Sequence, residues 1–311
     1  MAHRQQDESR RPLGVYWALF FGLASFSLSP ILVRLAAEGP ALAIVSWRTL
    51  IAAAALAPFA FVHSRKEIQS FTRRDFLLTG VAGILLGLHF VMWTESLYHT
   101  TVASASVLVT TSPIFLAVLG FIFLKERLSI GVNAAIVLAV IGAALLGLGD
   151  IGNGEEGDAR LLGNSMALAA SLLFSIYLLF GRVVRQSTSW LAYVFPLYTV
   201  TAATVLVTAF LLDTPLLGYS AGFYALCAGM AFGPQIVGHG SFNYGIRYIP
   251  AAILGVISLV EPVGASVLAY VLFEEVPTTM SLIGMLVTLS AIAFAIVHRS
   301  RNRVDVAVRT D

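Results

Sequence analysis

Ten stretches of roughly 19 to 24 mostly apolar residues recur along this chain of 311 residues. Each is close to the ~20 residues an α-helix needs to cross about 30 Å of hydrocarbon. They run near 13–33, 42–62, 76–97, 102–124, 130–148, 162–180, 191–212, 219–242, 251–273 and 280–297. A water-facing surface cannot be built around such a series, because 58% of the residues are hydrophobic and only 12% are charged. Soluble domains carry about 25% charged residues. The alternating ten-residue segments of a membrane β-barrel are absent. Breakers and charges gather between the runs, at Arg65-Lys66-Glu67, the acidic 150–158 stretch, Asp213-Thr214-Pro215 and Glu274-Glu275-Val276-Pro277. Arg4, Arg10 and Arg11 precede the first run, which is too long for an ordinary signal peptide and reads as an uncleaved first helix.

The basic residues orient this series. With the N-terminus in the cytoplasm, 16 of the 19 Lys and Arg residues fall on the cytoplasmic side, Arg34 and Arg160 fall outside, and Arg48 lies within a span. That bias is the positive-inside signature, and an even number of spans returns the C-terminus to the cytoplasm. The fold expected is an all-α integral membrane protein of ten transmembrane helices, with both termini cytoplasmic. The single cysteine, Cys227, excludes an intramolecular disulfide and a cysteine metal cluster, and reads as a small core residue.

The two halves of the chain are related. A displacement of 149 positions aligns Gly14 with Gly163, Ala18 with Ala167, Pro113 with Pro262, Leu119 with Leu268 and Glu126 with Glu275. An odd number of spans per half turns the second copy upside down relative to the first. Inverted repeats of this kind are characteristic of transporters, whose two halves exchange roles around a central site. The expected division is a cytoplasmic tail at 1–12, a first five-helix repeat at 13–149, an acidic external loop at 150–161, a second repeat at 162–297 and a basic cytoplasmic tail at 298–311.

The segment from Asn243 through Pro250 to Glu261-Pro262, followed by Glu275, resembles the second repeat of the EamA-type transporters of the drug/metabolite transporter superfamily. The counterpart from Ser96 through Pro113 to Glu126 resembles the first. The resemblance covers nearly the whole chain. It implies a central cavity between two inverted repeats and secondary transport of amino acids, related metabolites or drugs, with export the commoner direction and uptake an alternative.

The residues themselves suggest further roles. Pro113 and Pro262 are expected mid-span, where proline removes a backbone donor and kinks the helix. Glu126 and Glu275, just beyond the fourth and ninth spans, suit the positive end of the next helix. These four read as hinge or scaffold positions. Polar groups inside spans are costly and mark a function or a partner. Arg48 on the second span and Glu95 on the third lie at similar depth; they form an ion pair, or Arg48 receives a substrate carboxylate, or it reaches to the interface. His89 and Trp93 sit one turn apart on one face. Gln235, His239 and Asn243 follow down the eighth span, and Glu261 stands mid-membrane as a candidate proton-coupling acid or a helix-to-helix hydrogen bond. Trp17, Tyr177 and Tyr198 are cavity-lining or packing aromatics.

Other classes lack support. No His-Glu-x-x-His, Walker A or Gly-x-Ser-x-Gly run occurs, so no catalytic residues, metal or cofactor are assigned. One basic residue within the spans disfavours strongly anionic cargo and favours a zwitterionic or neutral solute. Nothing points to nucleic acid. The expected setting is the inner (plasma) membrane, with the lipid bilayer and protons as further partners. An integral-membrane enzyme acting on lipid-linked substrates is the competing class, and its polar residues would cluster at one membrane face.

Overall fold

Short polar turns containing a side-chain cap set where four of the spans begin. The computed structural model describes residues 13–125, 129–148 and 155–274, with scattered positions between 279 and 294. We number the helices by span: α1 Leu13–Leu35, α2 Ala41–His63, α3 Arg73–His99, α4 Val102–Phe123, α5 Ile130–Leu148, α6 Glu155–Val184, α7 Trp190–Leu211, α8 Ala221–Gly245 and α9 Ala251–Phe273. Thr72, Thr101, Ser189 and Ser220 accept the free N–H groups at the starts of α3, α4, α7 and α8. Thr72 and Asp75 complete a reciprocal capping box.

Eight of these helices are long and apolar enough to cross a membrane, and α5 contributes a shorter apolar helix, 133–142. The protein is an all-helical membrane protein. The tenth expected span falls mostly outside the described residues, as do both tails, Glu126 and Glu275. The helix α6 starts at Glu155, inside the stretch expected as a loop.

The two mid-span prolines do not kink continuous helices. Helix α4 is broken at Thr110 and Thr111 into Val102–Val109 and Ser112–Leu124, and Pro113 occupies the first turn of the second piece. Helix α9 is broken at Leu259 into Ala251–Ser258 and Val260–Phe273, with Pro262 again in the first turn. Proline is tolerated there because the N–H it lacks has no partner within the helix. Both second pieces end on a residue in the left-handed region, Lys125 (φ 54°) and Glu274 (φ 58°), which stand 149 positions apart. A third irregularity occurs in α8. Residues Ala231–His239 form wide π turns around Pro234, whose missing N–H breaks the ordinary i to i−4 ladder.

The halves interleave. Helix α3 packs along α6 and α7, α2 along α7 and α8, α1 along α8 and α9, and the two broken helices α4 and α9 meet each other. Close crossings are made through small residues. A Cβ added at Gly83 would lie 2.7 Å from Val200 Cβ and 2.9 Å from the Leu197 carbonyl, so α3 and α7 approach backbone to backbone. Thr201 Oγ1 donates to the Gly83 carbonyl at the same crossing, at 3.0 Å.

Two clasps join the halves at the ends of the bundle. Glu38, in the α1–α2 turn, accepts from the backbone N–H of Ser220 at 2.8 Å and from its hydroxyl at 2.6 Å. Glu67, in the α2–α3 turn, accepts from the N–H and hydroxyl of Ser189, both at 2.6 Å. These contacts put the α1–α2 turn beside α7–α8 and the α2–α3 turn beside α6–α7. Since α2 runs from one clasp to the other, the equivalent turns α1–α2 and α6–α7 lie at opposite ends. The two clasps are therefore counterparts under exchange of the halves. Arginines repeat the pattern: Arg34 donates to the Thr100 carbonyl at 3.5 Å, and Arg182 to the Ile249 carbonyl at 3.3 Å.

Candidate functional site

A cavity of about 40 Å³ opens where α4 and α9 are broken. Side chains from α1, α2, α3, α4, α6, α8 and α9 form its wall. Much of the wall comes in pairs separated by 148 to 150 positions: Phe26 with Phe174, His89 with His239, Val109 with Ser258, and Ser112 with Glu261.

Arg48 reaches the wall from α2 and is 1% exposed. Its Nε donates to Gln235 Oε1 at 3.3 Å, and its guanidinium lies 4.2 Å from the centre of the Phe90 ring. Its Nη1 has no partner, and no carboxylate pairs with it among the described residues. An arginine at mid-span costs about 2.5–3.5 kcal/mol on insertion scales. One neutral hydrogen bond and one ring face offset this only in part. Gln235 stands behind Arg48, fully buried on the π segment of α8, where the wide turn brings its side chain into reach. Tyr198 Oη donates to the Gln235 carbonyl at 2.6 Å, satisfying one acceptor that the wide turn leaves available.

The two histidines sit among aromatic rings. His89 Nδ1 lies 2.8 Å from the Ala170 carbonyl. A carbonyl only accepts, so Nδ1 carries the hydrogen in this contact. The ring centres of His89 and His239 are 5.7 Å apart, with Phe90 and Phe26 edge-on to His239 at 4.8 and 4.9 Å. His239 Nδ1 and Tyr177 Oη are 3.2 Å apart. Trp93 also lines the cavity, and its indole Nε1 is a second buried donor without an acceptor. Glu261 lines the same cavity, in the first turn of the second piece of α9, where the helix dipole favours a negative charge. It is 8% exposed, and its carboxyl makes no hydrogen bond or ion pair among the described residues.

The structure thus brings Arg48, His89, Trp93, His239 and Glu261 to one cavity, with Gln235 bonded directly behind. Glu95 is elsewhere. It is partly exposed and lies 3.3 Å from His99 one turn along its own helix, so the Arg48–Glu95 pairing considered from depth alone does not form. Asn243 is buried below the cavity and donates to the His239 carbonyl at 2.9 Å. Trp17 is 58% exposed and stacks with Phe21 on the outside of the bundle, away from the cavity. Tyr177 and Tyr198 are fully buried partners of His239 and Gln235. Cys227 is buried. Sequence reasoning missed Phe26, Phe90 and Phe174 on the wall. They are ordinary apolar residues of apolar spans, and only the 148-position spacing of Phe26 and Phe174 hinted at them.

Two separate segments of the chain, residues 12–148 and 161–297, each match the model of the EamA-like transporter family. The chain belongs to that family. It is a membrane transporter and not an enzyme, which removes the lipid-linked enzyme reading. The "Uncharacterized transporter YetK" of Bacillus subtilis (strain 168) is 22% identical over 94% of this chain and 89% of its own length. The "Probable terminal-alkyne amino-acid exporter" of Streptantibioticus cattleyicolor is 26% identical over 86% of this chain and 88% of its own. A solved crystal structure superposes with a TM-score of 0.75 at 17% identity, covering 94% of this chain and 99% of that one, a likeness of fold.

Proposed function

We propose that this protein is a secondary exporter of amino acids or related small metabolites. It works by alternating access at the cavity between two inverted five-helix repeats, ten spans in all, in the inner membrane. The observation that carries the reading is the cavity itself, which is walled by both halves at two broken helices and holds a buried arginine without an anionic partner among the described residues. Broken helices at a repeat interface are the usual setting of a transporter's solute site. The printed name of the Streptantibioticus relative supports amino acids as cargo.

With both termini cytoplasmic, the Glu38–Ser220 clasp closes the outer end and the Glu67–Ser189 clasp the inner end. Both are formed here, the arrangement of an occluded state. Releasing one while keeping the other opens the cavity to one side at a time, and the near-equivalence of the halves lets the two openings be similar motions. Glu261 is the proposed proton-coupling acid, since a lone carboxyl on the cavity wall can carry a proton in one direction and the solute in the other.

The test uses the full chain in proteoliposomes of known orientation. Exporter function predicts uptake of labelled amino acids into inside-out vesicles, driven by a proton gradient. Accumulation only in right-side-out vesicles would reassign the protein as an uptake permease, and no flux of any amino acid in either would overturn the cargo class.

A further inference from the structure

We infer that the cavity recognises a zwitterion by its two ends, the carboxylate at Arg48 and the ammonium at Glu261. This rests on the amino-acid reading above and adds which residue reads which end.

The argument starts from the pairing of the wall. Phe26 answers Phe174 and His89 answers His239, so the rings that enclose the solute are nearly twofold symmetric. Two residues break that symmetry with charge. The positions 148 to 150 beyond Arg48 hold Pro196, Leu197 and Tyr198. The positions equivalent to Glu261 are Thr111, Ser112 and Pro113. Neither set holds a carboxylate or a cation, so neither Arg48 nor Glu261 has a charged counterpart in the other half. The two departures have opposite charges, and they come from different halves.

Neither charge is neutralised by another side chain among the described residues. Arg48 keeps Nη1 bare at 1% exposure, while Gln235 holds its Nε. Trp93 offers the other bare donor on the wall. Both bare donors call for an acceptor, and a carboxylate has two oxygens to supply. Glu261 calls for a cation or donor, which an ammonium supplies. The aromatic rings on the same wall provide contact surface for the solute's apolar side chain. A monocarboxylate would leave Glu261 unanswered, and a simple amine would leave Arg48 unanswered.

Equilibrium binding to the purified full-length protein in nanodiscs tests this with leucine and phenylalanine, their amides, and their deaminated acids. The wild type should bind the zwitterions at least about tenfold more tightly than either the amides or the acids. Arg48→Gln should erase the preference over the amides and keep that over the acids. Glu261→Gln should do the reverse. Arg48→Lys, which keeps the charge, should retain the carboxylate preference in part and serves as the folded control. Equal binding of amide and zwitterion by the wild type overturns the assignment, as does a loss of both preferences together in either variant. If the proteoliposomes move amino acids and their amides alike, only the end-by-end assignment falls. If they move an uncharged solute and no amino acid, the amino-acid reading falls with it.

Discussion

The Nε of Arg48 donates to Oε1 of Gln235 across 3.3 Å, tying α2 to the π segment of α8 at the cavity wall. Gln235→Leu should strand that donor and cost about 1–3 kcal/mol of stability, read by denaturation in micelles. Gln235→Glu should do the opposite. It supplies a permanent counter-ion, so the folded protein should gain stability while transport falls steeply. A Gln235→Glu protein that transports normally would show that Arg48 does not need to be free.

Glu261→Gln should leave the fold intact, weaken binding of the solute, and abolish accumulation driven by a proton gradient while downhill exchange persists at saturating solute. Comparing counterflow with pH-driven uptake in the same vesicles separates the two. Full gradient-driven accumulation by this variant would exclude Glu261 as the coupling acid.

The outer clasp has a native reporter. Cys227 lies two turns along α8 from Ser220 and is buried. Glu38→Gln should raise its labelling by a membrane-impermeant maleimide several-fold, and Glu67→Gln, at the other end, should not. The pH dependence has a definite sign. Hydrogen bonds from the Ser220 hydroxyl and N–H hold the Glu38 carboxyl below its ordinary value of 4.5. Its contribution is therefore fully present above the ordinary carboxylate range and lost only as pH falls through the lowered value. The labelling ratio of Glu38→Gln to wild type should stay level from neutral pH down to mild acid, then fall toward one. A ratio near one at neutral pH would show that this clasp does not hold the outer end shut.

Gly83→Ala should destabilise the protein by about 1–3 kcal/mol, because the atoms it meets on α7 include backbone and cannot swing away. Gly80→Ala, on the same helix, meets nothing within 4 Å and should be neutral or slightly stabilising. Equal effects of the two substitutions would refute the close α3–α7 crossing.

The long spans are legible in the sequence because hydrocarbon dictates both length and composition, and the 149-position displacement is legible because both halves keep similar residues at similar depths. The breaks were harder to read. Pro113 and Pro262 mark them, yet a proline within an apolar run reads equally as a kink in one helix or the first turn of another. The π segment was overlooked, although Gly233-Pro234 and Gly238 are the residues that loosen a helical ladder. Arg48 and Glu95 matched in depth and charge, but depth does not give the azimuth around a helix, and Glu95 turns to His99 instead. Nothing in the sequence singles out Glu38, and Glu67 is one charge among several between two runs. Only the three-dimensional path shows that each meets a serine from the other half.

The paired wall of the cavity also bears on ancestry. A dimer of the first half alone would place two guanidiniums in the chamber and no acid, and a dimer of the second half two carboxylates and no arginine. Such homodimers could hold only symmetric, singly charged environments. Fusion into one chain freed each half to diverge, so the single polypeptide presents opposite signs within one enclosure while its rings keep their twofold order.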